Sequence, residues 1–256
     1  MNAPQSSRFD TLCVHGGQSP EPITGAVMPP ISQASTYAQK SPGKHTGYEY
    51  SRTQNPTRQA WERAVAALEG GAGAYAFASG LAAAATALDL LPSGSRVVAM
   101  DDLYGGTRRL FEQVRARSAG LDFHFADLSD PQILEQAITP DTRLVWVESP
   151  TNPLLKLADL SAVAAAAHRV GALALCDNTF ASPWSQRPIE YGFDLVLHSA
   201  TKYLDGQGRC VGGAVVGREE VVGEGVYGFL RTCGPTMSPF NAWVFLKGLE
   251  TLSIRM

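Results

Sequence analysis

The sequence predicts an α/β fold in which a mostly parallel sheet carries helices on both faces. From about residue 57 to residue 216, short apolar segments of strand length alternate with segments whose apolar residues have helical spacing. The predicted strands are apolar almost throughout, which is typical of strands buried on both faces. Polar residues follow the strands directly, so we expect a row of polar loops along one edge of the sheet.

The first 58 residues predict an extended N-terminal arm. They are rich in proline, glycine, serine and threonine, and Pro29-Pro30 and Pro42-Gly43 break regular structure. A segment of this length without regular structure is unusual inside a compact domain, so we expect it to lie over another surface, such as a second subunit. Residues 47–58 contain tyrosine and arginine side chains without a core pattern, which suits either a binding surface or a polar loop.

Five helices are predicted after the arm, and each has a start or end signal in the sequence. Their bounds are 57–68, 81–90, 107–117, 131–137 and 160–169. The signals, in chain order, are Thr57 with Gly70-Gly71, Ser79-Gly80 with Pro92, Thr107, Asp130-Pro131, and Gly171. Serine, threonine and aspartate cap helix N-termini, whereas glycine and proline end helices.

Seven strands are predicted between and after these helices, each a short apolar run. Their bounds are 74–78, 97–100, 122–125, 144–147, 173–176, 195–197 and 214–216. Polar segments follow five of them, at residues 79–80, 101–106, 148–153, 177–179 and 199–202. Because ligands of such sheets bind outside the carboxyl ends of the strands, these five loops are expected to meet at one crevice.

Composition and charge exclude several functions. The chain has 256 residues and a net charge of −3, which gives no basic surface for nucleic acid. No apolar run approaches the ~20 residues that span a bilayer. Residues 1–10 lack an apolar signal core, so we expect a cytoplasmic protein. The four cysteines are far apart and form no CxxC pair, which predicts reduced thiols and no metal site: Cys13, Cys176, Cys210 and Cys233.

Lys202 is the first candidate for chemistry, because it follows a buried strand and the hydroxyls of Ser199 and Thr201. One interpretation is an exposed loop lysine, as most lysines are. The other is a lysine that forms a Schiff base with an aldehyde, with the two hydroxyls donating to a nearby phosphate. Gly206 and Gly208 supply flexible backbone immediately after it.

Three other strand ends offer partners for such a cofactor. Ser79-Gly80-Leu81 begins a helix, where backbone N–H groups and the helix dipole suit a phosphate, although Ser79 also suits a simple N-cap. Tyr104 precedes two glycines and can lie flat over a ring. Asp177 can hold a pyridine nitrogen in its protonated form, as pyridoxal chemistry requires, or can cap the following turn.

Motifs for competing chemistries are missing from the sequence. No G-x-G-x-x-G follows a strand, and no G-x-x-x-x-G-K-[ST] occurs, so neither dinucleotide nor P-loop binding is indicated. Ser79 does not lie in a G-x-S-x-G segment, which argues against an α/β-hydrolase. The strand-end residues therefore favour pyridoxal phosphate.

Taken together, the motifs closely resemble those of the Cys/Met-metabolism pyridoxal-phosphate enzymes. They are Tyr50-Ser51-Arg52 with Asn55-Pro56-Thr57, Ser79-Gly80-Leu81, residues 102–107, residues 148–153, Asp177-Asn178-Thr179, and residues 199–209. The last of these is most similar to the O-succinylhomoserine sulfhydrylase branch. The resemblance implies the large domain of the aspartate-aminotransferase-like fold, fold type I.

Residue roles follow from this resemblance. It implies that Lys202 binds the cofactor covalently and that Asp177 pairs with the pyridine nitrogen. Tyr104 would stack on the ring and assist proton transfer, and Asn152 would lie near the ring hydroxyl. The implied phosphate ligands are Gly80, Leu81, Ser199 and Thr201, joined by Tyr50 and Arg52 from a neighbouring subunit, and Ser79 belongs to the same cofactor site. Leu81 stands where the family usually has methionine, and only its backbone is needed.

The resemblance also implies an organisation in domains. Residues 1–58 would be the arm, residues 59–238 the cofactor-binding domain, and residues 239–256 the start of a helix leading to a C-terminal domain. In the family, that further domain carries the arginine that binds the substrate carboxylate. We therefore expect this chain to be a fragment or a truncated product, assembled as a homo-oligomer, a dimer or tetramer.

The implied reaction is γ-replacement on O-succinylhomoserine by sulfide, which gives homocysteine. The sequence leaves open whether the acyl group is succinyl or acetyl. Two alternatives remain at this point. One is cystathionine γ-synthase or γ-lyase activity from the same family. The other is a cofactor-binding remnant without turnover.

Overall fold

A computed structural model describes residues 8–256. Residues 1–7 lie outside the described part. The described part therefore lacks the first seven residues of the predicted arm and most of residues 1–10, the segment without an apolar signal core. In the part described, no helix has both the length and the apolarity needed to cross a membrane. The same part contains no group of three or more histidine, cysteine or acidic side chains able to hold a metal ion.

The predicted sheet is confirmed as a seven-stranded sheet in which only one strand is reversed. The strands are β1 (Gly73–Phe77), β2 (Arg96–Met100), β3 (Asp122–Ala126), β4 (Thr142–Glu148), β5 (Leu173–Asp177), β6 (Leu195–Ser199) and β7 (Gly213–Gly217). Their spatial order is β1-β7-β6-β5-β4-β2-β3, and β7 runs antiparallel to both of its neighbours. The carboxyl ends of β4, β5 and β6 are therefore adjacent.

Helices connect the strands and cover both faces of the sheet. They are α1 (Phe9–His15), α2 (Pro56–Glu69), α3 (Gly80–Asp89), α4 (Gly105–Arg109), α5 (Ala116–Ser118), α6 (Pro131–Ala137), α7 (Leu160–Arg169), α8 (Ser182–Ser185), α9 (Glu219–Val221), α10 (Tyr227–Cys233), α11 (Pro239–Leu249) and α12 (Leu252–Arg255). π-helical turns at Leu110–Arg115 and Val222–Val226 join α4 to α5 and α9 to α10, and a 3-10 turn lies at Pro188–Tyr191.

Two hydrophobic cores lie on opposite faces of the sheet, as alternation along a strand requires. Leu195 and Leu197 of β6 belong to the larger core, with α3 and α7. Val196, between them, belongs to the smaller core, with α2 and α11. In that smaller core the rings of Trp61 and Phe245 pack with centroids 5.6 Å apart. The face of β6 on which a side chain lies thus decides which helices it meets.

The arm departs from the prediction at its beginning. Residues 9–15 form the helix α1 instead of continuing extended chain. Phe9, Leu12 and Cys13 have the spacing of one helical face, and Cys13 is buried in the smaller core. Between α1 and α2 the chain has only isolated bridges, at Thr36–Tyr50 and Ser41–Lys44. The domain boundaries drawn from the sequence stay predictions.

Candidate active site

One cavity of about 610 Å³ lies at the carboxyl ends of the central strands. The structure brings nine of the eleven candidate residues to its wall: Ser79, Gly80, Leu81, Tyr104, Asn152, Asp177, Ser199, Thr201 and Lys202. They come from five separate strand ends, so the predicted meeting of polar loops is found. The volume is typical of a small-molecule site.

One end of the cavity is formed by the N-terminus of α3 packed against the end of β6. Ser79 caps α3, and its Oγ accepts a hydrogen bond from the backbone N–H of Ala82 at 3.0 Å. Gly80 approaches β6 so closely that a Cβ placed on it would lie 2.8 Å from the Cβ of Ser199. Only glycine fits at this contact. The free N–H groups and positive dipole end of α3 therefore face the cavity beside a serine hydroxyl.

Lys202 lies in the turn that leaves β6. Its backbone N–H donates to the carbonyl of Ser199 at 3.2 Å. The Oγ1 of Thr201 donates to the carbonyl of Gly212 at 3.2 Å and accepts from the N–H of Gly212 at 3.1 Å. Hydrogen bonds to neighbouring backbone thus hold the turn, and the amine of Lys202 reaches the cavity wall.

Asp177 and Glu148 form a pair of buried carboxyl groups on another wall. They occupy paired positions of β5 and β4, and their residues are only 7% and 5% exposed. Burial raises the pKa of Asp177, although hydrogen bonds from Thr179 and the imidazole of His198 oppose the rise. Burial and the negative charge of Asp177 raise the pKa of Glu148 to about 8. Neither carboxyl forms an ion pair with a cationic side chain within residues 8–256.

Tyr104 is held over the cavity by its backbone. Its N–H donates to the Oε2 of Glu148 at 3.0 Å. A Cβ on Gly106 would lie 2.4 Å from the Cε1 of the tyrosine ring, so the glycine is required for this ring position. Asp102 ties the loop that carries Tyr104 to the loop that carries Asn152, because its Oδ2 accepts from the hydroxyl of Thr151 at 2.5 Å.

Tyr50 and Arg52 do not line this cavity. Both are exposed, and the Nη1 of Arg52 donates to the carbonyl of Arg231 at 2.5 Å, near the end of α10. The guanidinium of buried Arg58 donates to the carbonyl of Ser51 at 2.7 Å and to that of Arg52 at 3.3 Å. The arm motif is therefore held on the surface by hydrogen bonds and does not line the cavity of its own chain.

The cavity also contains residues that the sequence analysis did not select. The additional lining residues are Thr107, Glu148, Thr179, Phe180, Leu197, Tyr203, Gly206 and Val211. Glu148 had a detectable signal, since it ends an apolar strand directly before a polar loop. Its neighbour across the sheet is set by strand order, which the sequence alone does not reveal. Thr179 accepts from the N–H of Ser199 at 2.8 Å and so links the ends of β5 and β6.

Comparison with protein families gives a match over nearly the whole chain. The model described as Cys/Met metabolism PLP-dependent enzyme matches residues 10–256. Cystathionine beta-lyase of Coxiella burnetii is 54% identical over 100% of this chain and 66% of that protein. A probable cystathionine gamma-synthase of Herpetosiphon aurantiacus is 50% identical, over 97% of the chain and 77% of that protein. Cystathionine gamma-lyase of Bacillus subtilis is 46% identical, over 96% of this chain and 65% of that protein.

Solved structures give the same picture. The crystal structure of metB from Corynebacterium glutamicum superimposes with a TM-score of 0.96 and 39% identity, over 99% of this chain and 66% of that one. The crystal structure of cystathionine gamma-lyase from Lactobacillus plantarum, complexed with L-serine, superimposes with a TM-score of 0.94 and 42% identity. The match covers 98% of this chain and 65% of that one. The chain thus spans about two thirds of the length of most of these proteins.

Proposed function

The chain belongs to the Cys/Met metabolism PLP-dependent enzyme family, and we propose that it makes or breaks a carbon–sulfur bond in an amino acid related to cystathionine. The observation that carries the proposal is the meeting of Lys202, Asp177 and the N-terminus of α3 at one cavity. A lysine amine, a carboxylate and a phosphate-binding helix end are the three groups that pyridoxal phosphate needs.

The chain's own residues fit this cofactor. The buried carboxyl of Asp177 has no cationic side chain bonded to it within the described residues, and a protonated ring nitrogen would supply that cation. The first residues of α3, Gly80 and Leu81, line the cavity, and N–H groups in the first turn of a helix are available to a phosphate. The cavity volume of about 610 Å³ accommodates a ring, a phosphate and an amino-acid substrate.

Each side chain has a part in holding the cofactor. In the proposal, Lys202 would bind it covalently, and Asp177 would hold its ring nitrogen. The N-terminus of α3, with Ser199 and Thr201, would bind the phosphate. Tyr104 would hold the ring, and Asn152 would bind near its hydroxyl. When bound, pyridoxal phosphate supplies an electron sink for negative charge on the substrate's α carbon.

The proton transfers are assigned to two residues. The amine of Lys202, when not bonded to the cofactor, would remove the proton from the α carbon and carry protons to and from the β carbon. Tyr104 would assist, because the residue is 44% exposed and lines the cavity. Hydrogen bonds to Asp102 and Glu148 hold the loops around Tyr104 in place.

The substrate is argued from the names of the relatives. The three proteins quoted above are two cystathionine lyases and a probable cystathionine gamma-synthase. They favour cystathionine chemistry over the O-succinylhomoserine sulfhydrylase reaction expected from residues 199–209. We therefore propose cystathionine as the substrate or product, with sulfide as the less favoured acceptor. Because the chain spans only part of these relatives, turnover by the chain itself is also a proposal.

The first part of the test is cofactor loading. We expect the chain to bind pyridoxal phosphate covalently, which is measured by visible absorbance and by mass after borohydride reduction. Lys202→Ala should abolish the covalent attachment because no other amine lines the cavity within the described residues. Lys247→Ala is the matched control, since Lys247 lies on α11 and pairs with Glu250. A folded chain that takes up no cofactor would disprove the proposal.

The second part separates the candidate reactions by their products. Hydrolytic cleavage of cystathionine gives homocysteine, pyruvate and ammonia if the β carbon–sulfur bond is broken, and cysteine, 2-oxobutyrate and ammonia if the γ bond is broken. O-succinylhomoserine is then supplied with cysteine or with sulfide, which give cystathionine or homocysteine. Formation of homocysteine from sulfide alone would restore the sulfhydrylase hypothesis. Covalent loading without any product would support the remnant without turnover.

A further inference from the structure

A buried histidine–carboxylate pair lies behind the cavity and takes no part in the proposed reaction. The Nε2 of His198 donates to the Oε1 of Glu69 at 2.5 Å. Both residues are 0% exposed. The second oxygen of Glu69 and the Nδ1 of His198 are also buried, and neither has a hydrogen-bond partner in the part of the chain described. Burying an ionisable pair with two unsatisfied atoms is costly, so the pair needs a reason beyond packing.

The pair sits directly behind the residues that face the proposed cofactor. Successive side chains of a strand point to opposite faces. Ser199 lines the cavity, so His198, one residue earlier in β6, points to the opposite face, towards α2. In the same way Asp177 lines the cavity and Asn178, one residue later, does not. Glu69, the last residue of α2, meets both of these rear side chains.

Glu69 joins the ends of β5 and β6 through hydrogen bonds. Its Oε1 accepts from the Nδ2 of Asn178 at 2.8 Å as well as from His198. Gln186 closes the cluster, since its Nε2 donates to the Oδ1 of Asn178 at 3.0 Å and to the carbonyl of Ser149 at 2.8 Å. The ends of β4, β5 and β6 are therefore braced from behind by one buried polar cluster, centred on Glu69.

His198 also acts on Asp177 through its charge distribution. Burial is the largest influence on Asp177 and raises its pKa. Hydrogen bonds from Thr179 oppose that rise, and so does the imidazole of His198. In the proposed function Asp177 must be ionised to hold a protonated ring nitrogen. An imidazole fixed at this place by Glu69 works in that direction.

Resting on the proposed function, we propose that Glu69 and His198 are a positioning pair, which holds the ends of β5 and β6 so that the Asp177 carboxylate is in place for the cofactor ring. The pair touches neither cofactor nor substrate. Its effect passes through Asp177 and the strand ends. The proposal therefore makes a claim about coupling: removing the pair matters for cofactor binding only while Asp177 is present to transmit it.

A second histidine–carboxylate pair, formed by His168 of α7 and Asp194 directly before β6, serves as a control. The Nε2 of His168 contacts the Oδ2 of Asp194 at 2.9 Å, and the same Oδ2 accepts from the N–H of Ala174 at 2.8 Å. This pair braces β5 and β6 at their amino ends, opposite the cavity. His168→Gln removes the histidine of this second pair, and neither His168 nor Asp194 lines the cavity.

The test is a double-mutant cycle on the affinity for pyridoxal phosphate. The dissociation constant is measured by fluorescence titration for the chain, for His198→Gln, for Asp177→Asn and for the double variant, up to millimolar cofactor so that weak binding is measured. Glutamine at position 198 keeps an N–H donor for Glu69 and removes the imidazole. Glu69→Gln changes the carboxylate of the pair instead of the histidine. It takes the place of His198→Gln in the cycle if that variant does not fold. Far-ultraviolet circular dichroism checks the fold of each variant.

We expect His198→Gln to weaken cofactor binding about tenfold when Asp177 is present. In the Asp177→Asn background the same substitution should change affinity by no more than about twofold, the usual limit of additivity. His168→Gln should stay within about twofold of the unmodified chain. Equal weakening in both backgrounds would mean that the pair is only a structural brace, and it would overturn the proposal. An unchanged affinity in His198→Gln would overturn it as well. If the unmodified chain binds no cofactor, the proposed function itself is wrong. That result is distinct from the two outcomes that overturn only the positioning role.

Discussion

At the scale of the residue, Glu148 and Asp177 show how neighbouring strands create chemistry that neither strand has alone. Both carboxyls end apolar strands, and their residues are paired across β4 and β5. Each is buried, and the charge of Asp177 acts on Glu148. The N–H of Tyr104 donates to Glu148. The ionisation of Glu148 is thus linked to both the folding of the site and the position of Tyr104.

This linkage predicts a pH dependence for the stability of the cofactor-free chain. The pKa of Glu148 is about 8 in the folded chain, against an ordinary value of 4.5. Between these values the folded chain holds a proton that the unfolded chain has released, so the free energy of unfolding falls as pH rises through this window. Above about pH 8 this contribution levels off. Glu148→Gln should remove it, as measured by urea unfolding across the window.

Glu220→Gln is the control for this measurement, because Glu220 is exposed on α9. It should keep the slope of the unmodified chain. A Glu148→Gln chain with that same slope would show that another group binds the proton. The carboxyl of Asp177, whose pKa is also raised by burial, would then be the first group to examine.

The sequence predicted most of the cavity because its residues come from strand ends. A strand end is marked locally, by a polar residue after an apolar run, and Lys202, Asp177 and Ser199 all have that mark. Glu148 has it too, but its importance depends on which strand lies beside β4. That adjacency follows from the order of seven strands, and no local pattern in the sequence specifies it.

At the scale of the element, α2 shows how one buried side chain can join the arm to the domain. Asn55 is the N-cap of α2 and is 0% exposed. Its Oδ1 accepts from the N–H groups of Thr57 at 3.0 Å and Arg58 at 3.2 Å. Its Nδ2 donates to the carbonyl of Ser32 in the arm at 2.9 Å. One amide thus satisfies the start of the helix and holds the arm.

Asn55→Ala is expected to destabilise the chain by about 1–3 kcal/mol, since it removes a cap and leaves buried partners unsatisfied. Chemical denaturation measures the change in the free energy of unfolding. Asp159→Ala, at the N-cap of α7, is the matched comparison, because the exposed Asp159 side chain accepts a hydrogen bond from the N–H of Ala162 and from no other group in residues 8–256. We expect it to cost about 1 kcal/mol or less. Equal losses in the two variants would mean that the arm gains nothing from Asn55.

Where an element has a strong local signal, its predicted bounds agree with the structure to within one or two residues. Elements without such a signal were not predicted. The strand β2 was expected at 97–100 and spans Arg96–Met100. The segment from α9 to α10 was not predicted as helical. It contains Gly223, Gly225 and Gly228, which lower helix propensity, and a π-helical turn interrupts its period. Packing of Val222, Val226 and Leu230 into the larger core stabilises it instead.

At the scale of the whole molecule, the arm raises the question of how many chains build one site. Tyr50 and Arg52 line no part of their own chain's cavity, although their motif resembles a phosphate-binding segment. Arg58 and Asn55 hold that motif rigidly on the surface. Ile23 and Val27 of the arm are 90% and 78% exposed, so the arm carries apolar surface that its own chain does not cover. We propose that a second copy covers it and receives Tyr50 and Arg52.

Mixing two variants tests this arrangement. Arg52→Ala leaves Lys202 intact, and Lys202→Ala leaves Arg52 intact. If the site is shared in a dimer, neither variant alone attaches limiting pyridoxal phosphate efficiently, but a refolded equal mixture contains some complete sites. Random pairing gives one complete site in half of the dimers, or about a quarter of all sites. Mass spectrometry after borohydride reduction counts the labelled chains.

The control mixes Arg52→Ala with a chain carrying both substitutions, which provides no intact arginine and should recover nothing. Labelling of the first mixture above the mean of its separate components requires an arginine that acts across chains, since each chain lacks one of the two groups. If the mixture is labelled no more than the mean of its separate components, Arg52 acts only within its own chain. Its hydrogen bond to the carbonyl of Arg231 would then be its role, as a cation at the C-terminal end of α10. The result therefore decides whether the arm belongs to the active site or to the surface that supports it.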